Sequence, residues 1–178
     1  MKTTSILAEL LVIGTVSLGW IKPIIDGLIK YEVFKNEFSD YYIYYLIVVI
    51  YLLGIVLNYI SDRFFYYYDA RQVNKYGNKQ KIQLLRCKLL LLSAEVNSYM
   101  SQKRSIIRIF RASAFNFLMY AVVALCSLYE PYLKANCFVL FLMSLCLSII
   151  FFLGYHHTLN GYFKYITVMG DLINERTN

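Results

Sequence analysis

Few side chains in this sequence are of types and spacings that could do chemistry. The histidines, His156 and His157, are adjacent and follow a long apolar run. Neighbours on a helix point about 100° apart, so the pair cannot chelate one metal ion as residues at i and i+4 do. No glycine-rich phosphate loop occurs, and no pair of carboxylates shares one face of an apolar helix. These patterns predict no enzyme, metal or cofactor, and leave the histidines as interfacial hydrogen-bonding groups or a pH-sensitive gate.

Three arginines form the clearest charge cluster. Arg104, Arg108 and Arg111 stand at i, i+4 and i+7, so they share one face of the predicted helix. Such a cluster beside a membrane segment typically faces solvent or anionic lipid headgroups. Binding of RNA phosphates is the sharper alternative, although no recognisable RNA-binding module accompanies the cluster.

Polar residues inside apolar runs are candidates for a water-filled path. A carboxylate at membrane depth is costly unless water or a partner satisfies it. Glu9 is such a carboxylate, unless it lies at the membrane interface because it is close to the N-terminus. Several copies of the chain could surround an aqueous path in which these groups are tolerated. The pore or gate candidates are Glu9, Asn58, Asn116, His156 and His157.

The elements that position these residues are predicted to be membrane helices. No charge occurs between Asp40 and Asp62, and tyrosines and phenylalanines cluster at both ends of this stretch. A helix of about 20 residues crosses a hydrocarbon core of roughly 30 Å, and amphipathic rings favour its two borders. The chain is also 59% hydrophobic, with a net charge of +7. This composition favours a membrane protein beside anionic lipid or nucleic acid.

Three regions follow from the charge distribution. Residues 1–60 form an N-terminal membrane region of two apolar helices, the first retained as an anchor rather than cleaved as a signal peptide. Residues 61–111 contain eleven of the eighteen basic residues and are predicted to be helical and cytoplasmic, with a break at Gly77. Residues 112–178 form an apolar helical hairpin and a polar tail. The hairpin either spans the membrane, giving four crossings, or belongs to a cytoplasmic bundle, leaving two.

An apolar stripe lies in the basic region. Its members recur at spacings of 3, 4, 3 and 4, which is typical of a helix that packs in a coiled-coil manner. We predict that the stripe packs against other helices of the chain or against other copies of it. Its residues are Ile82, Leu85, Leu89, Leu92 and Val96.

The chain resembles the small membrane accessory proteins encoded beside the RNA-guided RNA nuclease of type VI-B CRISPR systems, in the B2 subtype. The resemblance rests on size, the apolar N-terminus, the basic helical middle and a composition rich in tyrosine, lysine, isoleucine and asparagine, as in SDRFFYYYDARQVNKYGNKQKI, residues 61–82. It implies a divergent HEPN-like helical part and an all-α integral membrane protein with long helices extending into the cytoplasm. It also implies a symmetric, ring-like homo-oligomer in the bacterial inner membrane.

The function implied by the resemblance is a membrane pore. Such proteins enhance antiviral defence by depolarising the inner membrane after the partner nuclease has cut phage RNA. A HEPN ribonuclease would have histidine four to six residues after arginine, whereas RASAFN places Asn116 five residues after Arg111. RNA cleavage by this chain is therefore disfavoured. A membrane-tethered RNA-binding or RNA-cleaving regulator of the nuclease remains the alternative, as does a holin-like or transporter-like protein outside CRISPR.

Overall fold

The computed structural model describes residues 2–29, 40–92, 94–127 and 134–177, with side chains over 6–22, 44–89, 94–127 and 137–172. Within these residues, every position except Gly77 and Asn78 is helical, which confirms the all-α prediction. The helices are α1 (Lys2–Ile29), α2 (Asp40–Tyr76), α3 (Lys79–Leu92), α4 (Ala94–Ser127) and α5 (Lys134–Thr177).

Helices α1 and α2 pack as an antiparallel pair around two glycines. A methyl group added at Gly14 would overlap the backbone of Ile50, and one added at Gly54 would overlap the backbone of Leu10. Small residues let helix backbones approach closely, which is the usual way that membrane helices gain van der Waals contact. The two glycines therefore set the register between α1 and α2.

Helices α4 and α5 form the second antiparallel pair. The Ser148 hydroxyl donates to the Ala114 carbonyl at 2.9 Å, and the Phe117 and Phe151 rings stack with centroids 5.3 Å apart. Helix α1 runs parallel to α4, because contacts advance along both helices in the same direction. Glu9 contacts Arg108, Ile13 contacts Asn116, and Gly19 lies against Tyr120. The four long helices thus form an up-down bundle.

Helix α2 ends where the sequence predicts. Gly77 has a φ of 136°, a left-handed conformation that favours glycine and stops the helix. The chain then turns into α3, which packs against α4 and α5. The Leu85 side chain fills the space in front of Gly170 of α5, where a methyl group would come within 2.5 Å of it.

The apolar stripe of α3 is not a surface for other copies, which corrects one alternative of the sequence prediction. Ile82, Leu85 and Leu89 are 5%, 1% and 0% exposed, and all three belong to the core of the chain itself. Val96 is half-buried against the same core, while the side chain of Leu92 lies outside the described residues. The heptad-like spacing identified a packing stripe correctly, but the partner helices lie in the same chain.

Three helices are long and apolar enough to cross a membrane, with candidate spans at Tyr44–Tyr76, Ala94–Ser127 and Cys137–Leu172. This supports the prediction of a membrane protein with transmembrane helices and is compatible with a hairpin that crosses the membrane. The choice between two and four crossings stays a prediction. Of the four cysteines, Cys137 is buried, whereas Cys87, Cys126 and Cys146 are exposed.

The outer faces of α2 and α5 are covered with large apolar side chains. Half-exposing such a side chain to water costs roughly 1 kcal/mol, so about five to fifteen of them equal the roughly 5–15 kcal/mol net stability of a soluble domain. This surface is therefore suited to lipid or to other protein chains. Examples are Val48, Leu52, Val56, Leu140, Met143, Ile150 and Leu153.

A candidate site at the charged end of the bundle

Glu9 is buried and fully partnered. Its carboxylate receives hydrogen bonds from Arg108 Nε at 2.6 Å and Arg108 Nη2 at 3.0 Å, and from the Ser105 hydroxyl at 2.5 Å. The Glu9 side chain is only 2% exposed, whereas that of Arg108 is 35% exposed. A bidentate arginine pair satisfies a carboxylate that lipid alone could not. This contact joins α1 to α4.

A second ionic cluster is centred on Arg111. Its guanidinium donates to Asp69 at 3.1 Å and also pairs with Asp62, so that one arginine holds two carboxylates of α2. The hydroxyl of Tyr155 from α5 donates to the other oxygen of Asp69. The Arg111 side chain is 10% exposed. The cluster joins α2, α4 and α5. Separating these helices would leave a buried charge without its partner, which is costly.

The two histidines point in different directions, as their adjacent positions predict. His156 is hydrogen-bonded through Nδ1 to the Tyr68 hydroxyl and through Nε2 to the Asn160 side-chain amide at 2.8 Å. His157 is exposed. His156 thus fits the interfacial hydrogen-bonding alternative, and the gating role of both residues stays a prediction.

Asn116 is a bridge between helices in this chain. Its amide oxygen accepts from Trp20 Nε1 at 3.2 Å, and its amide nitrogen donates to the Ile13 carbonyl at 3.2 Å. The residue is fully buried. Asn58 differs, because its side-chain oxygen is buried without a hydrogen-bond partner while its carbonyl accepts from Ser61.

The three arginines of the cluster have different partners. Arg108 and Arg111 are bound to carboxylates of the chain, whereas Arg104 is half-buried and its guanidinium contacts the Met100 carbonyl at 3.4 Å. A role of the three in binding lipid or RNA phosphate stays a prediction. The observed ion pairs leave Arg104 as the member of the cluster best placed to bind an external anion.

Sequence reasoning missed the acidic partners. Asp62 and Asp69 occupy positions i and i+7 of α2 and therefore share a face, which contradicts the expectation that no carboxylates pair in this way. The seven-residue spacing between the two aspartates could have predicted that they share a face of the helix. Ser105 carries no such signal, because its contact depends on the packing of α1 against α4.

A groove lies beside Glu9 on the outside of the bundle, with a volume of about 760 Å³. Along its floor, α4 presents a series of small polar side chains, while α1 supplies Glu9 between Ala8 and Val12. Apolar side chains such as Val12, Ile106 and Ile109 complete the lining, so the groove carries a row of polar groups within a largely apolar wall. The polar members of α4 are Asn97, Ser98, Ser101, Gln102 and Ser105.

The fold and the site define an all-helical bundle with three helices able to span a membrane and a charged, internally paired end. Within the part of the chain that the structure describes, no group of three histidine, cysteine or acidic side chains is placed to hold a metal ion. Comparison of the chain with protein-family models, curated proteins and solved structures finds no match.

Proposed function

We propose that the chain is an integral membrane protein that assembles with copies of itself into a pore, and that the pore depolarises the inner membrane as part of antiviral defence. In this proposal it acts downstream of an RNA-guided RNA nuclease, as the resemblance implies. The basic end of the bundle lies in the cytoplasm, in keeping with the positive-inside rule.

The observation that supports the pore best is the groove between α1 and α4, which carries serine, asparagine and glutamine side chains on the stretch of α4 before Arg108, within the basic region proposed to be cytoplasmic. These side chains can hydrogen-bond water or a second chain. Symmetric copies that turn this face toward a common axis would repeat the groups as rings at the cytoplasmic mouth of the pore. The apolar outer faces of α2 and α5 would then contact lipid.

The conducting path in this proposal runs between subunits. Glu9 is hydrogen-bonded to Arg108 and Ser105, and the buried Asn116 is hydrogen-bonded to Trp20 and Ile13, so both are engaged inside the bundle and do not line a path through it. Groove residues such as Gln102 replace them as the primary candidates. The RNA-regulator alternative has less support, because two of its three arginines already have carboxylate partners.

Measurement of membrane potential tests the proposal. Cells that express the chain, the nuclease and a targeted transcript should lose the signal of a potential-sensitive dye, while cells without the transcript keep it. Gln102→Leu removes a polar side chain from the groove and should reduce depolarisation several-fold. Gln80→Leu makes the same change at an exposed position of α3 outside the groove and should behave as the wild type. An unchanged potential with the wild-type chain would contradict the pore.

A further inference from the structure

A second cavity, on the other side of α4, is lined by five cationic side chains. It has a volume of about 320 Å³ and lies between α2, α3, α4 and α5. Pockets of about 300 Å³ and more are large enough for small ligands. The basic residues in its wall are Lys79, Arg86, Arg104, Arg108 and Arg111, and the acidic one is Asp69.

The charge of this cavity is only partly compensated. Arg108 and Arg111 are paired with carboxylates, and Asp69 is committed to Arg111 and Tyr155. Among the described residues, no carboxylate lies within ion-pair distance of the other three cations, Lys79, Arg86 and Arg104. Arg86 and Arg104 are also close enough to repel each other. The fold therefore holds Arg86 and Arg104, two groups of the same charge, in the wall of one cavity.

Two buried polar atoms of the lining also lack partners. Tyr162 is 6% exposed and its hydroxyl has no hydrogen bond, and the same holds for Nε of Arg111, which is 8% exposed. Tyr162 lies within the field of both Arg86 and Arg104. Buried donors are nearly always satisfied in folded proteins, so a hydroxyl without a hydrogen bond, beside guanidinium groups that have no carboxylate partner, indicates an acceptor from outside the chain.

The geometry points to a binding site for a phosphate group, held by Arg86, Arg104 and the Tyr162 hydroxyl, with Lys79 at the rim. Guanidinium forks match the tetrahedral oxygens of phosphate and form charge-assisted hydrogen bonds with them. The site goes beyond the proposed pore, because a single copy of the chain supplies all of these residues.

The phosphate can come from a lipid headgroup or from a free small molecule. Asp69 lies eight residues past Ser61, the last residue of the charge-free stretch of α2. At a rise of about 1.5 Å per residue, this places the Asp69 wall of the cavity about 12 Å beyond the apolar span, on the water side of a headgroup layer about 5–7 Å thick. A free phosphate reaches this position from the water, and a lipid phosphate reaches it only where a headgroup extends outward, so the test includes both sources.

Native mass spectrometry of the full chain in neutral detergent tests the site. The probes are short-chain phosphatidylglycerol, the matched phosphatidylcholine, inorganic phosphate and a short single-stranded RNA. Arg86→Gln with Arg104→Gln should weaken binding about ten- to a hundredfold, and Tyr162→Phe about three- to tenfold, because each removes charge-assisted hydrogen bonds. The control pair Arg63→Gln with Arg71→Gln removes two exposed charges of α2 and should change the Kd by less than about twofold.

The outcomes separate the two sources and can overturn the site. Retention of phosphatidylglycerol but not phosphatidylcholine assigns a lipid headgroup, whereas binding of inorganic phosphate alone assigns a free ligand. Equal binding by wild type and both pocket variants, or no binding of any probe, would overturn the assignment. Binding of a short single-stranded RNA without either small anion would also overturn it. Tyr162→Phe removes one oxygen atom, so it keeps the test valid if the double arginine variant fails to fold.

Discussion

The carboxylate of Glu9 is tolerated in the apolar helix α1 because Arg108 pairs with it. Arg108 donates two hydrogen bonds and Ser105 a third, so every strong interaction of this carboxylate is made with α4. Removing one partner of a buried ion pair is more damaging than the pair is stabilising, because the other charge is left behind. Glu9 therefore acts as a structural contact between two helices.

Glu9→Gln should destabilise the chain by about 3 kcal/mol, because it leaves Arg108 without its carboxylate. In a thermal unfolding experiment in detergent, this corresponds to a midpoint lower by about 6–12 °C. Combining Glu9→Gln with Arg108→Gln should recover part of the loss, which is the signature of a coupled pair. Glu95→Gln, at an exposed position in the first turn of α4, is the matched control. Equal midpoints for the Glu9 and Glu95 variants would contradict a structural role for the pair.

How far these contacts can be predicted from sequence depends on their range along the chain. The charge-free stretch of α2 and the break at Gly77 are local signals, and both are confirmed. Glu9 and Arg108 were each singled out, but their pairing required the packing of α1 on α4, which no periodicity encodes. Asp62 and Asp69 share a face of α2 by spacing alone, yet their partner Arg111 is known only from the bundle.

Helix α3 depends on a stripe that is buried in its own chain. Leu85→Ala should cost about 2–5 kcal/mol, because it removes a fully buried side chain and opens a cavity in front of Gly170. Leu84→Ala deletes the same atoms from the adjacent, 58% exposed position and should change stability by less than about 0.5 kcal/mol. Urea titration of both variants in detergent measures the difference. A larger loss for Leu84→Ala would mean that the opposite face of α3 is the packed one.

The register between α1 and α2 depends on glycine. Gly54→Ala places a methyl group against the Leu10 backbone and should lower stability by about 1–3 kcal/mol, since backbone atoms cannot move aside. Gly161→Ala is the control, because no atom lies within 4 Å of the added methyl group on α5. That substitution should be neutral or stabilising by up to about 1 kcal/mol through helix propensity. Thermal unfolding distinguishes the two, and an unaffected Gly54→Ala variant would contradict the close approach of α1 and α2.

For the chain as a unit, the distribution of polar groups is the main physical constraint. Ionic contacts lie at the end where α3 packs, the apolar faces of α2 and α5 point outward, and the groove along α4 carries serine, asparagine and glutamine side chains. Hydropathy predicted the apolar spans because it is a property of single helices. It did not predict which polar residues are satisfied internally, since that depends on neighbours distant in sequence. Asn116 illustrates this: a pore candidate by sequence, it is hydrogen-bonded to α1.

The proposed pore requires several copies of the chain in one particle, so its mass is the most direct test. Light scattering of the chain purified in detergent, corrected for bound detergent, should give a single integer multiple of 20.9 kDa that is larger than one. If the groove faces the common axis, replacing Gln102 by leucine should lower the particle mass or give a mixture of masses. A monodisperse particle of one chain, at every protein concentration tested and in native membrane extracts, would contradict the account.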